Sequence, residues 1–299
     1  ENLNNLCRDT IKEIIEIFPK PIANFISTEV CLGEKTIFYD NSSNNVSEWA
    51  YNFGDGIGVS ANPDTEYTYY SPGIFNVNLN VTSDMGCESN IVQEVIVHHI
   101  PLVDFMIESH CEGKGNIFTN TSSVSNSNIT NIKYDFNNNL IPADSICTHI
   151  FNGSGFFDVT LEVNSSEGCS AKQTKVAEVF TNPNVDFFTS SLCKGEEIIF
   201  NNLSSIFNSD ISSYNWTFST GETSNEKDVV HTFWSDGLFE VSLSVTSDKG
   251  CEGNLNKEII IPKLPSVDFV TLSDACLGDE IQIRYNPSVN DSKIISWKY

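Results

Sequence analysis

The sequence predicts an all-β protein made of tandem β-sandwiches. Three observations predict this: a repeat of about 82 residues, strands with strict two-residue alternation, and turn residues between them with no helical periodicity.

The repeat comes first. Pro21 (PIANF), Pro101 (PLVDF), Pro183 (PNVDF) and Pro265 (PSVDF) open similar segments at steps of 80, 82 and 82 residues. A Cys-x-Gly follows each: Cys31/Gly33, Cys111/Gly113, Cys193/Gly195 and Cys276/Gly278. An aromatic pattern of period two comes next, at Trp49, Tyr51 and Phe53, at Tyr134 and Phe136, and at Tyr214, Trp216 and Phe218. Trp297 and Tyr299 begin it again. A glycine then recurs at Gly73, Gly155 and Gly237, and a Gly-Cys at Cys87, Cys169 and Cys251. Cys7 precedes Pro21 by the same 14 residues that separate Cys87, Cys169 and Cys251 from their next prolines. Residues 1–20 therefore read as the tail of a preceding repeat. Residues 21–100, 101–182 and 183–264 read as whole repeats, and 265–299 as the head of a further one. The expected context is a longer array, with further repeats of the same polypeptide on both sides.

The elements follow in order within a repeat. Lys35 to Asp40 and Glu48 to Phe53 are predicted strands. After Gly73, the residues Phe75, Val77, Leu79 and Val81 alternate with Asn76, Asn78 and Asn80. The same alternation follows Gly155 and Gly237, which predicts strands with one buried and one wet face. Gly54-Asp55-Gly56, Ser71-Pro72-Gly73 and Asp84-Met85-Gly86 are turn signals. Asn90 to Val97 and Leu255 to Ile261 are predicted final strands. By homology Thr10 to Phe18 is expected to be a final strand too, although TIKEIIEIF looks helical.

The cysteines suggest one bridge inside each repeat: Cys31–Cys87, Cys111–Cys169 and Cys193–Cys251, with Cys7 and Cys276 lacking partners in the chain. Loops of this size contribute on the order of 4 kcal/mol each, which matters for sandwiches this small. Cys147 has no counterpart in the other repeats and reads as a small buried residue; the competing reading is a reactive or intermolecular thiol. No Cys-x-x-Cys suggests zinc. Regular cysteines of this kind point to an oxidising, extracytoplasmic compartment.

Composition narrows the function. With 16 Lys+Arg against 40 Asp+Glu, the net charge is −24, which argues against nucleic acid and against docking on anionic membranes. No apolar run of eighteen residues predicts membrane insertion, and residues 1–18 do not read as a signal peptide. Charged residues are only 19% and Phe numbers 20, too aromatic for a disordered acidic tail.

The residues Trp49-Ala-Tyr51-Asn-Phe53-Gly54-Asp55-Gly56, then Tyr67/Tyr69 and Gly73-Ile-Phe75-Asn-Val77-Asn-Leu79-Asn-Val81, resemble the PKD (polycystic kidney disease) domain family. The third repeat keeps Trp216-Thr-Phe218 but turns through Ser219-Thr220-Gly221, and the second turns through Asn137-Asn138-Asn139. The resemblance implies an immunoglobulin-like sandwich in each repeat, arranged as a rod. The two-cysteine variant is similar to tandem repeats of very large Bacteroidota surface proteins, including gliding-motility adhesins exported by the type IX system. That likeness implies a non-catalytic stalk on an outer cell surface, touching other surface proteins or glycans. The alternative is a set of glycan- or protein-binding accessory modules of a secreted hydrolase.

The remaining candidates are weak by pattern. Asp55, Asp64 and Asp84 are calcium candidates, against a plain reading as turn residues. Asp104, Asp186 and Asp268, with Asn24 in the first repeat, are expected near domain junctions. His98, His99 and His110 lie close in sequence without metal-ligand spacing, and His149 and His231 stand apart. Tyr70, Phe151 and Trp234, just before the repeat glycine, are expected to be partly buried. Asp9-Thr10-Ile11 and Asp144-Ser145-Ile146 resemble an O-glycosylation motif of some Bacteroidota, placing sugars on Thr10 and Ser145. No nucleophile elbow, zinc-protease helix or P-loop is present, so neither catalysis nor a cofactor is expected.

Overall fold

Alternating apolar and polar residues give each repeat two sets of strands, and each set forms a sheet that is antiparallel except where β2 joins β8 in parallel. The computed structural model describes residues 11–265, 269–272, 276–277, 280 and 283–285. The first repeat contains β1 (Phe25–Ser27), β2 (Val30–Cys31), β3 (Lys35–Asp40), β4 (Val46–Asn52), β5 (Val59–Ser60), β6 (Thr65–Thr68), β7 (Gly73–Ser83) and β8 (Glu88–His98). The second contains β9 (Phe105–Glu108), β10 (Asn116–Asn120), β11 (Ile129–Phe136), β12 (Leu140–Pro142), β13 (Ile146–His149), β14 (Gly155–Ser165) and β15 (Ser170–Val179). The third contains β16 (Phe187–Thr189), β17 (Glu197–Asn202), β18 (Ile211–Phe218), β19 (Thr223–Ser224), β20 (Val229–Thr232), β21 (Gly237–Ser247) and β22 (Glu252–Ile261). A last hairpin pairs β23 (Phe269–Thr271) with β24 (Ile283–Tyr285).

The sheet orders repeat as well. A three-stranded sheet (β1-β3-β6, β13-β10-β9, β16-β17-β20) accompanies a larger one (β2-β8-β7-β4-β5, β12-β11-β14-β15, β19-β18-β21-β22). The long hairpin runs in register from Gly73↔Val97 to Thr82↔Glu88, and from Gly237↔Ile261 to Thr246↔Glu252. Gly73, Gly155 and Gly237 begin the long strand with φ of 149°, 131° and 135°, backbone that favours glycine. In the second repeat Asn137 and Asn138 take left-handed φ of 57° and 67°, and Phe136 N–H donates to Asn139 O at 3.1 Å. Two consecutive left-handed residues make the hairpin turn whose twist suits the strands, and asparagine tolerates it.

A bulge interrupts the β4–β7, β11–β14 and β18–β21 pairings at one shared place, after Val46, Ile129 and Ile211. There Ser47, Thr130 and Ser212 donate their hydroxyls to carbonyls of the facing strand, at Thr82 (3.2 Å), Ser165 (3.1 Å) and Ser247 (2.9 Å).

The described chain groups into two compact units. One comprises residues 1–105, 120–145 and 159–174; the other comprises 106–119, 146–158 and 175–299. In the first, Phe25, Phe38, Tyr51, Phe53 and Tyr69 pack with Val77, Leu79, Val81, Val95 and Val97. In the second, Phe187, Ile198, Phe200, Trp216, Phe218 and Phe233 pack with Val241, Leu243, Val245, Ile259 and Ile261. Truncating such a ring to alanine costs about 3–5 kcal/mol.

One strand expectation fails. Residues 11–18 carry no regular secondary structure, and Ile11, Ile14, Ile15 and Ile17 are exposed. A strand needs a partner for its N–H and C=O groups, and no described strand runs beside this segment. Thr10, Trp297 and Tyr299 lie outside the described residues.

Candidate functional site

Two recurring turns place the cysteines. In the first, Cys-x-Gly bends through left-handed Gly33, Gly113 and Gly195 (φ 87°, 80° and 80°), closed by Glu34 N–H to Cys31 O at 3.0 Å and Lys114 N–H to Cys111 O at 2.9 Å. The bend lays Cys31 in parallel against the far end of β8, opposite His98. Cys111 bridges Phe180 in the same way.

The Gly-Cys turn, in contrast, lies at the near end of the last strand. Ser83, Ser165 and Ser247 are buried. Each accepts the cysteine N–H on its hydroxyl, at 3.1, 3.2 and 3.1 Å from Cys87, Cys169 and Cys251. Each also donates its own N–H to that cysteine's carbonyl, at 2.9, 2.8 and 2.8 Å.

This layout overturns the expected bridges. Cys31 sits level with His98, eleven residues beyond Cys87 along an extended strand, so the two lie about 36 Å apart at 3.3 Å per residue. A disulfide needs Cα atoms roughly 4.4–6.8 Å apart. Cys111 and Cys169 are separated in the same way, by the length of β15. The bonds that form are Cys31–Cys169, with Cα atoms 5.6 Å apart, and Cys111–Cys251, at 5.5 Å. Each joins the early cysteine of one repeat to the late cysteine of the next, across 138 and 140 residues. Each bridge also lies wholly within one compact unit. Cys87 and Cys193, expected to be bridged, carry free thiols. The strand length was the signal available in the sequence: an eleven-residue strand between the two motifs cannot bring its ends together.

The other candidates separate clearly. Asp55 Oδ1 accepts from Ile57 N–H and Gly58 N–H, both at 3.0 Å, and Oδ2 accepts from the Tyr67 hydroxyl. Desolvation pushes the carboxyl pKa up, but these hydrogen bonds outweigh it and hold the group below the usual aspartate range. The same bond to Asp55, aided by burial, pushes the Tyr67 pKa up to about 12. Asp64 accepts from Asp40 N–H at 2.8 Å, and Asp84 is an exposed residue in the β7–β8 turn. The structure therefore uses Asp55 and Asp64 as turn acceptors.

The residues expected at junctions act inside their own repeats. Asn24 accepts from Gln93 at 2.9 Å, and Asp186 accepts from Lys257 Nζ at 2.6 Å. Both tie the opening segment to the last strand. Asp104 accepts Phe105 N–H at 2.9 Å, and Asp268 lies outside the described residues. Tyr70 and Trp234 are 85% and 78% exposed, whereas Phe151 is buried. The register explains the difference, because Phe151 corresponds to buried Tyr69 and Phe233.

His231 stacks on Phe218 at 4.0 Å, as Tyr67 stacks on Phe53 at 4.2 Å. Its Nδ1 meets Glu222 at 2.9 Å. Burial lowers its pKa, and Glu222 opposes that shift. His98 meets Glu29 at 3.3 Å and His110 meets Glu108 at 3.6 Å. Among the described residues no three His, Cys, Asp or Glu side chains gather as a metal site. Cys147 is half-buried on β13, and burial raises its thiol pKa. Ser145 is exposed. Cys7 lies outside the described residues, and Cys276 is exposed.

No curated protein matches the chain. Solved structures similar to parts of it include the PKD1 domain of Vibrio anguillarum Epp, at 26% identity over 27% of this chain and 93% of that one, TM-score 0.25. Another is the PKD1 domain from the Vibrio cholerae metalloprotease PrtV, at 30% identity over 27% and 96%, TM-score 0.25. A third concerns host cell surface retention of a 1.5-MDa bacterial ice-binding adhesin, at 12% identity over 81% and 98%, TM-score 0.34. The PKD domain family matches residues 19–97 and 180–261, just over half of the chain. Those two stretches hold the recurring sheets, glycine turns and buried aromatics described above, and the chain belongs to the PKD domain family.

Proposed function

We propose that the chain is a load-bearing stalk segment of a large secreted surface protein, spacing a terminal binding domain from the cell and doing no chemistry of its own. The observation that carries this reading is the pair of bridges Cys31–Cys169 and Cys111–Cys251. A bond from one repeat to the next resists tension along the chain. Disulfides also place the protein in an oxidising, extracytoplasmic compartment, and a net charge of −24 keeps neighbouring stalks apart. The modules are the sequence repeats 21–100, 101–182 and 183–264. Assignment to a gliding-motility adhesin exported by the type IX system rests on the resemblance of the two-cysteine repeats.

Electron microscopy of the intact protein tests the reading. The expected result is a thin filament that lengthens by about 35–40 Å per repeat, the length of an eleven-residue strand. A short chain beside a bulky globular body would overturn it. The accessory-module reading is favoured by one observation, the exposed rings of Tyr70 and Trp234, which suit stacking on sugars. Glycan-array binding that disappears in Tyr70→Ala with Trp234→Ala would support that reading instead.

A further inference from the structure

Cys87 and Cys193 occupy the same repeat positions as cysteines that are bonded elsewhere in the chain. Cys87 is a late cysteine, equivalent to Cys169 and Cys251; Cys193 is an early one, equivalent to Cys31 and Cys111. The turns that hold them match. Ser83 clasps Cys87 as Ser165 clasps Cys169, and Glu196 N–H meets Cys193 O at 3.3 Å as its counterparts do. Among the described residues Cys193 makes no counterpart of the parallel bridge by which Cys31 and Cys111 meet the last strand, and the surroundings of both thiols differ from those of the bonded cysteines. Bonded Cys169 and Cys251 are 1% and 0% exposed, whereas Cys87 is half-buried. Bonded Cys111 is buried, whereas Cys193 is exposed.

The rule followed by both bridges is that an early cysteine takes the late cysteine of the next repeat. Applied to Cys193, it calls for a late cysteine after residue 265, and no cysteine follows Cys276. Applied to Cys87, it calls for the early cysteine of a repeat before residue 21, and the only cysteine there, Cys7, is a late one.

We propose that Cys87 and Cys193 are complementary half-links: Cys87 forms a disulfide with the Cys-x-Gly cysteine of a preceding repeat and Cys193 with the Gly-Cys cysteine of a following one, so that the bridges continue through the array. In each step two thiols lose two protons and two electrons to a disulfide oxidant, which is reduced to a dithiol as the new S–S bond forms. The inference rests on the stalk reading only in assuming neighbouring repeats; the chemistry is that of the two cysteine positions.

The test is a doubled chain, residues 1–264 followed directly by 21–299, so that the second Pro21 takes the place of Pro265. The first copy carries Cys87→Ser and the second carries Cys193→Ser, which leaves one Cys193 followed by one Cys87. The protein is oxidised with a glutathione pair, alkylated and mapped by non-reducing peptide mass spectrometry. The expected result is a Cys193–Cys87 peptide in the monomeric fraction at the occupancy of Cys31–Cys169 and Cys111–Cys251, with both thiols alkylatable in the single chain. If both stay alkylatable in the doubled chain while the other two bridges map correctly, the half-link inference is overturned and the stalk reading stands. A Cys193–Cys87 peptide confined to covalent dimers also overturns continuation along one chain. Recovery of Cys31–Cys87 overturns the bridge rule and the stalk reading's main support together.

Discussion

Stretching the chain between handles outside Cys31 and Cys251 reads the bridge pattern directly, because the two loops overlap. Under load the covalent path runs from Cys31 across to Cys169, back along the chain to Cys111, and across to Cys251. Only the segment between Cys111 and Cys169 can extend, about 58 residues or roughly 200 Å at about 3.5 Å per residue. Cys169→Ser opens one bridge and reroutes the path along residues 31–111, about 80 residues and roughly 280 Å, a gain of only about 80 Å. Adding Cys251→Ser frees the whole span, about 220 residues and roughly 770 Å, a further gain of about 490 Å. The two losses are strongly non-additive. Bridges closed within repeats would instead release about 200 Å with each substitution, independently. Single-molecule force spectroscopy of the oxidised proteins measures these lengths, and two equal, additive gains near 200 Å would refute the reasoning. In equilibrium unfolding, each loop of 138 or 140 residues corresponds to about 5 kcal/mol in the chain-entropy account.

Three further outcomes are expected. Buried Tyr51 and Tyr69 donate hydroxyls to Pro63 O and Phe53 O at 3.1 and 3.0 Å, and burial raises both pKa values.

 The Tyr69 bond to the Phe53 carbonyl and the Tyr67 bond to Asp55 both need the neutral phenol. Both contributions are therefore whole below pH 10, the ordinary tyrosine pKa; that of Tyr67 is lost as the pH climbs through about 12, and that of Tyr69 at higher pH still. The third repeat has Trp216, His231 and Phe233 at these positions, so hydrogen exchange should show the first repeat opening first in alkali. His231 behaves oppositely: its pKa lies below the ordinary 6.5, so its contribution is whole above pH 6.5 and is lost as the pH falls below it. Exchange in the third repeat should rise on acidification, and His231→Phe should remove that rise. Gly54→Ala should destabilise the first repeat by about 2–4 kcal/mol in denaturant melts, because φ is +79° and the added Cβ would lie 2.5 Å from Asn76 O.

Much of the fold was legible in the sequence, and the reasons are local. Gly73 followed by Phe75, Val77, Leu79 and Val81 specifies a strand without any knowledge of its neighbours, and β7 begins at that glycine. Lys35–Asp40 is likewise a strand with the expected ends. The cysteine pairing was less legible because homologous position says which residues are alike, not which ends of a sandwich they occupy. Only strand length carries that information. Tyr67, His149 and His231 share one position under different chemistry, so composition alone hid the stack on Phe53 and Phe218. Residues 11–18 failed as a strand for a related reason, since sequence likeness carries no partner edge with it.

The overlap of the two loops has a consequence for survival among extracellular proteases. A single backbone cut anywhere between Cys31 and Cys169 leaves the pieces joined by the first bridge, and a cut between Cys111 and Cys251 leaves them joined by the second. No stretch between Cys31 and Cys251 is left uncovered, including the short connections at Pro101 and Pro183, which bridges closed inside each repeat would leave exposed to severing. A nicked chain of this kind keeps its two ends attached until a second cut or a reductant arrives.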